Sequence, residues 1–239
     1  MRAILIAILL FTISLLGADF TNGVFCVDKP VEYQLITQGG IASTNQMSAG
    51  ESRMVSTAII ELHPLLQTTF YFSGGLIVLA ETNSILSISV FDQEVKNLGD
   101  IPRPAVFGSH NISLELNRGT FVVLYPIQDT NSSFSISSPL AMYQMETGKF
   151  LFHISDNRSL VYVLDGMLRV RGDRSRIDIA KKGNKAITGH LDTDIVSTIR
   201  TISSVERDSI IALQNKADAL TNAVQFFVID GRVRGVLVQ

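Results

Sequence analysis

Four histidines, one cysteine and a scatter of carboxylates are the side chains in this chain whose types could do chemistry. The histidines are His63, His110, His153 and His190. No two of them stand at the H-x-H or H-E-x-x-H spacing that brings a pair of imidazoles to one zinc ion, so no metal site is written locally. A Ser/His/Asp triad is recognised by geometry and could be assembled from distant residues. The G-x-S-x-G elbow that would single out its serine is absent. Glu61, Asp92, Glu94, Glu115 and Glu146 could supply the carboxylate pair of a glycoside hydrolase, but nothing in their spacing selects two of them. There is no glycine-rich phosphate loop and no dinucleotide fingerprint. His153 sits in the apolar run FLFHI on the face of Leu151, where a satisfied structural imidazole is expected. The sequence therefore assigns no catalytic residue, no cofactor site and no metal site, and the chain is expected not to be an enzyme.

Cys26 is the only cysteine. A single cysteine cannot form an internal disulfide. It is preceded by Val24 and Phe25 rather than by the small residues that a lipid-anchoring cysteine needs. A buried, inert thiol in an early strand is the expected role. Ahead of it, Arg2 and the apolar run Ala3 to Leu16 end in Leu16-Gly17-Ala18, the pattern of a secretory signal peptide over residues 1–18. The run falls short of the roughly 20 apolar residues of a membrane span. An uncleaved anchor is the rival reading. Export places the chain in the periplasm or outside the cell, with no transmembrane helix left after cleavage.

The elements that would position any site are strands. From Ile112 to Ile187 the chain reads ISLEL, TFVVLYP, SFSIS, LAMYQM, KFLFHI, LVYVL, MLRV, RIDIA and KAIT, mostly at eight- to ten-residue intervals. That spacing predicts a many-stranded all-β domain. Ile112, Leu114 and Leu116 alternate with Ser113 and Glu115, so this run buries one face and wets the other. Asp165-Gly166 reads as a two-residue hairpin turn, with Lys182-Gly183-Asn184 and Asp156-Asn157 as further turns. Upstream, Gly74-Gly75 suggests a tight hairpin. Asp92 to Arg103 reads as a loop, and residues 19–56 as a polar lead-in with one strand at Val31 to Ile36 and an irregular edge over Ala42 to Ser52. After Gly189 the pattern changes. Ser203-x-x-Glu206 has capping-box spacing, and Leu213, Ala217, Leu220, Val224 and Phe227 mark one stripe of a helix of about twenty residues packed on the β domain. Phe226 to Gln239 then form an Asp-Gly hairpin at Asp230-Gly231.

Composition narrows the partners. Apolar residues make up 46% of the 239, enough for a core without disulfides or metals, and charged residues only 18%. No basic run appears, so no nucleic-acid partner is expected. Arg169, Arg171, Arg174 and Arg176 alternate with acids and read as a solvated face. Arg171-Gly172-Asp173 spells an integrin tripeptide but is ordinary turn composition. The acceptor patterns at Asn111, Asn131 and Asn157 matter only in a eukaryotic secretory pathway.

The block from Ser133 to Gly189 resembles the C-terminal half of an FecR-type domain. The matching steps are Ser138-Pro139, then Gly148-Lys149-Phe150, then Val161-Tyr162-Val163-Leu164-Asp165-Gly166-Met167-Leu168-Arg169-Val170, and finally Ile179-Ala180-Lys181-Lys182-Gly183. Upstream, the run Leu114 to Phe121 around Gly119 is similar to an earlier step, so the likeness covers residues 57–189. Ser138 replaces the family's threonine, and Lys149 the threonine of its Gly-Thr pair. The resemblance implies an FecR-like sheet or roll, solenoid- or sandwich-like, followed over 190–239 by the helix and hairpin. FecR-type regulators contact a sigma factor in the cytoplasm and receive a signal through a periplasmic β domain. With only Met1 and Arg2 ahead of the apolar run, the resemblance implies the extracytoplasmic half alone. The expected function is a non-catalytic binding or signal-receiving module with a protein or cell-envelope polymer as partner. A structural or adhesive envelope protein is the alternative, and a carbohydrate-active enzyme a more distant one.

Overall fold

The computed structural model describes residues 19–55, 58–99, 101–126, 131–172, 177–191, 194–220, 223–230 and 232–238. The expected signal peptide lies outside them. Over the described residues the chain is all-β with one helix. Its first strands are β1 (Asp19–Asn22), β2 (Val24–Val27), β3 (Val31–Thr37), β4 (Gly40–Met47) and β5 (Ser52–Met54). There follow β6 (Ile59–Pro64), β7 (Thr68–Phe72), β8 (Ile77–Ala80), β9 (Ile85–Val95) and β10 (Arg103–Pro104). The long strands are β11 (Phe107–Tyr125), β13 (Met142–Ser155) and β14 (Arg158–Arg171), with β12 (Ser133–Ser137) between the first two. The chain then forms β15 (Ile177–Lys181), β16 (Asn184–Leu191), β17 (Asp194–Thr201), helix α1 (Ser204–Asp218), β18 (Val224–Ile229) and β19 (Arg232–Leu237).

The three long strands each serve two layers. The N-terminal half of β11 pairs with β9 and β12, and its C-terminal half with β8 and β13. The C-terminal half of β14 pairs with β15, and its N-terminal half with β16. Between the halves the strands turn a corner at Gly119, Gly148 and Gly166, all at positive φ. A Cβ on Gly148 would lie 2.2 Å from the Asp165 carbonyl oxygen, and one on Gly166 only 1.9 Å from that of Thr147. Two backbones therefore touch at the corner, and glycine alone permits both the approach and the conformation. Folding back is evident within β13, where the Tyr143 and Phe152 rings pack with centroids 5.4 Å apart. Tyr143 also hydrogen-bonds Ser159 across the interior, and its burial pushes the phenol pKa up.

The result is a bent sandwich. One layer runs β4, β3, β6, β9, the first half of β11, β12, the first half of β13, the second half of β14, and β15, with β1 paired to the end of β9. The other runs β17, β16, the remaining halves of β14, β13 and β11, then β8, β7, β2 and β5. Ile112, Leu114 and Leu116 from one half of β11 share a core with Phe121 and Val123 from the other. Each such large apolar side chain is fully buried and contributes about 2 kcal/mol of transfer free energy.

Several expectations change at the corners. Asp165-Gly166 does not reverse the chain; β14 passes through it as one strand. Lys182-Gly183 is likewise a bend, since β15 and β16 both run antiparallel to β14. The runs at Leu160 and Met167, at Leu140 and Lys149, and at Ile112 and Thr120 are halves of single strands. Asp156-Asn157 and Gly74-Gly75 do reverse the chain, joining β13 to β14 and β7 to β8. The expected irregular edge over Ala42 to Ser52 is largely β4, and Asp92 to Val95 belongs to β9 rather than to a loop. The helix spans 15 residues, not about twenty. Val224 and Phe227 lie on β18, because the chain leaves the helix after Asp218.

Candidate functional site

Helix α1 and the sheet β10-β18-β19 form a cap on the outer face of the second layer. That face is apolar: Tyr71, Ile77, Leu79, Val122, Leu124 and Leu151 meet Ile202 and Ile210 from the cap side, with Leu213, Leu220 and Phe226 packed around them. The capping box forms as its spacing predicts. Ser203 N–H and Oγ–H donate to Glu206 Oε2 (3.0 and 2.6 Å), and Glu206 N–H donates to Ser203 Oγ (3.4 Å). The other carboxylate oxygen of Glu206 reaches the sheet, accepting from Tyr162 OH (3.0 Å) and from Lys185 Nζ. Lys185 first, and then Ser203, hold the Glu206 carboxyl at about 2, and burial, then the Glu206 contact, pushes the Tyr162 phenol up to about 12. At the far end of the helix, Lys149 pairs with Asp218.

The hairpin half of the cap rests on Cys26. Ser52 Oγ–H donates to the Gly235 carbonyl and accepts from the Gly235 N–H, both at 2.9 Å. A Cβ on Gly235 would stand 2.8 Å from Cys26 Cβ. Cys26 is fully buried and unpaired, and burial pushes its thiol pKa up. The expected inert thiol is thus the floor beneath the cap.

Three clefts lined by described residues open on this frame. The largest of these three, about 680 Å³, lies on the seam between body and hairpin, with Asn22, Glu51 and Met54 on one wall and Arg232 and Arg234 on the other. A second, of about 350 Å³, lies between Glu32, Thr44, His63 and Leu65. The third, of about 310 Å³, is formed by Ser138-Pro139, Met142 and Arg171.

The residues that could do chemistry are dispersed. His63 Nε2 lies 2.9 Å from Glu61 Oε1. His153 Nδ1 lies 2.9 Å from Thr120 Oγ1, and burial lowers its pKa. His190 is exposed at the end of β16. Glu94 accepts from the Ser109 N–H and hydroxyl, and Glu146 pairs with Arg169 at 3.1 Å. Asp92 and Glu115 face solvent. Among the described residues no three His, Cys, Asp or Glu side chains are placed to hold a metal. Arg171, Asn111, Asn131 and Asn157 are exposed, while Asp173, Arg174 and Arg176 lie outside the described residues.

One arrangement escaped sequence reasoning. The parallel pairing of β11 with β12 brings Ser132 Oγ to 3.2 Å from His110 Nδ1, with Tyr125 OH 2.9 Å from Nε2. It has the look of a nucleophile and base. Both ring nitrogens are engaged, however, His110 is buried, and neither residue lines any of the three clefts. No spacing rule relates residues 110 and 132, so no sequence signal could have found the pair.

No protein-family model matches the chain, and no curated protein sequence matches it. Among solved structures, a crystal structure of a candidate anti-sigma factor from Parabacteroides distasonis ATCC 8503 is similar over 76% of this chain and 100% of that one, with 11% identity and a TM-score of 0.45. A second crystal structure of the same description and organism covers 75% of this chain and 95% of that one, with 11% identity and a TM-score of 0.40.

Proposed function

We propose that the chain is a non-catalytic binding module that works outside the cytoplasm and receives a signal at the seam between its β body and its C-terminal cap. The observation that carries this reading is the 680 Å³ cleft whose two walls belong to separate sheets. A partner that touches both walls has a different affinity for the docked and undocked cap, and that difference is what lets binding shift a conformational equilibrium. The N-terminal apolar run supports export. The likeness to FecR-type domains rests on an ordered set of steps whose glycines, Gly119, Gly148, Gly166 and Gly183, are the positive-φ corners of the sandwich.

The test is capture from an extracytoplasmic fraction by the tagged chain and by Met54→Trp. Met54 is 57% exposed on the cleft wall, so the tryptophan fills the cleft without entering the core. A stoichiometric protein partner retained by the wild type and lost by the variant supports the reading. Equal capture by both overturns the seam as the receiving site. A structural or adhesive role is the second reading, favoured by the open edge of the first layer at β4; recovery of polymer or of the chain itself in place of a protein supports it.

A further inference from the structure

Among the described residues five strands end a layer: β4, β15, β17, β5 and β1, the last only four residues long and paired with β9 alone. Unpaired strand edges invite pairing with another chain, and proteins blunt them with charge, proline or brevity. β15 carries Asp178 and Lys181, and β17 carries Arg200. β5 is three residues long and is met by Gly235 of β19 through Ser52. β4 lacks all three; its one irregularity is a bulge at Ala42, which has no partner in the β3 register and leaves Ser43 to Met47 as the regular stretch. Its eight residues, GIASTNQM, hold no charge and no proline, and all but Ser43 and Met47 are exposed. Among the described residues it pairs only with β3. The register places Ile41 beside Ile36 and Ile36 beside Ile59, an isoleucine row that ends at this edge with Ile41 63% exposed.

We propose that β4 joins two copies of this chain edge to edge, antiparallel about a two-fold axis, so that the first layers of two protomers become one sheet. A two-fold contact requires a strand that tolerates its own copy. β4 meets that requirement because Ser43, Thr44, Asn45 and Gln46 each both donate and accept hydrogen bonds, and no like charges are brought face to face. With the axis at Thr44, Ser43 lies opposite Asn45 of the second copy within the regular stretch, and the incoming strand runs on past the bulge at Ala42 to cover Ile41. This assembly does not depend on the seam cleft, which lies on the other layer.

Sedimentation equilibrium of the full chain tests it. The mass is expected to double with concentration, and Thr44→Lys, which sets two ammonium groups opposite one another, to raise the dimer dissociation constant roughly tenfold. Thr44→Cys is expected to give an oxidised dimer, since it faces its own copy. Ile41→Cys is expected not to, because its copy lies roughly 20 Å along the ladder. Cys26 is buried and does not compete. A chain monomeric at every concentration, or a dimer indifferent to Thr44→Lys, overturns the proposal. A monomer that instead takes up a synthetic GIASTNQM peptide assigns the edge to a foreign strand and overturns it as well.

Discussion

The β body and the C-terminal cap are held by different means. In the body, three strands run from one layer to the other, so its core cannot open at one place without dragging on both sheets. Most residues of that core have no exposed surface at all. The cap is a separate three-stranded sheet and a helix. It is attached by the buried Ile202 and Ile210, by half-buried apolar side chains around them, and by a few polar anchors, namely Glu206 to Tyr162 and Lys185, Asp218 to Lys149, and Gly235 to Ser52. A region of this second kind opens locally at a lower free energy than the whole molecule. The contrast predicts that the cap opens before the body, and Cys26, lying beneath it, reports that opening.

The contrast can be broken most severely at the corners. Gly166→Ala or Gly148→Ala forces a Cβ into a facing carbonyl at positive φ, and either is expected to cost about 3 kcal/mol in urea unfolding, lost from the molecule as a whole. A second glycine sharpens the comparison. Gly235→Val overfills the cap–body contact and is expected to speed native-state labelling of Cys26 about tenfold or more, while the ladder amides of β11 and β13 keep their protection from hydrogen exchange. If those amides lose protection together with Cys26, cap and body are one cooperative unit.

Glu206 gives the contrast a pH dependence. Its folded pKa of about 2 lies below the ordinary 4.5. A depressed carboxylate stabilises the docked cap above pH 4.5 and loses that contribution as pH falls from about 4.5 through about 2. Labelling of Cys26 by an acid-tolerant pyridyl disulfide, measured relative to the unfolded chain, is therefore expected to accelerate across that window. Glu206→Gln is expected to label several-fold faster already at pH 7 and to lack the acid step. The smallest effect is expected from Ser203→Ala, which removes one half of the capping box and weakens the helix by about 1 kcal/mol, read as faster exchange in the first turn of α1 alone.

Much of this was legible beforehand where one residue's environment follows from its immediate neighbours. Period two marked the buried faces of β11, and Ser203 with Glu206 marked the start of α1. Cys26 was legible as a buried thiol, though not as the floor of a cap. The seam cleft was not legible, since its walls come from residues near 22 and 54 and from residues near 233. No local pattern links them; they meet because β19 lies across β2 and β5. The Ser132–His110 pair was hidden for the same reason, being a product of strand pairing.

Two nearly identical stretches show where local information ends. VLDGMLRVRG and VIDGRVRG offer the backbone the same aspartate-glycine pair between apolar runs. In the second, β18 meets β19 and the chain reverses, with Asp230 at a φ of 52°. In the first, β13 lies along one side of β14, and β15 and β16 along the other. Those ladders hold the strand extended on both sides of Gly166, so the same residues yield a bend. The sequence by itself determined which residues prefer strands, which face each one buries and where the backbone can take an unusual φ. Whether that freedom becomes a reversal or a corner was decided only by the neighbouring strands, because a glycine widens the choice of backbone path and the hydrogen bonds of its partners make it.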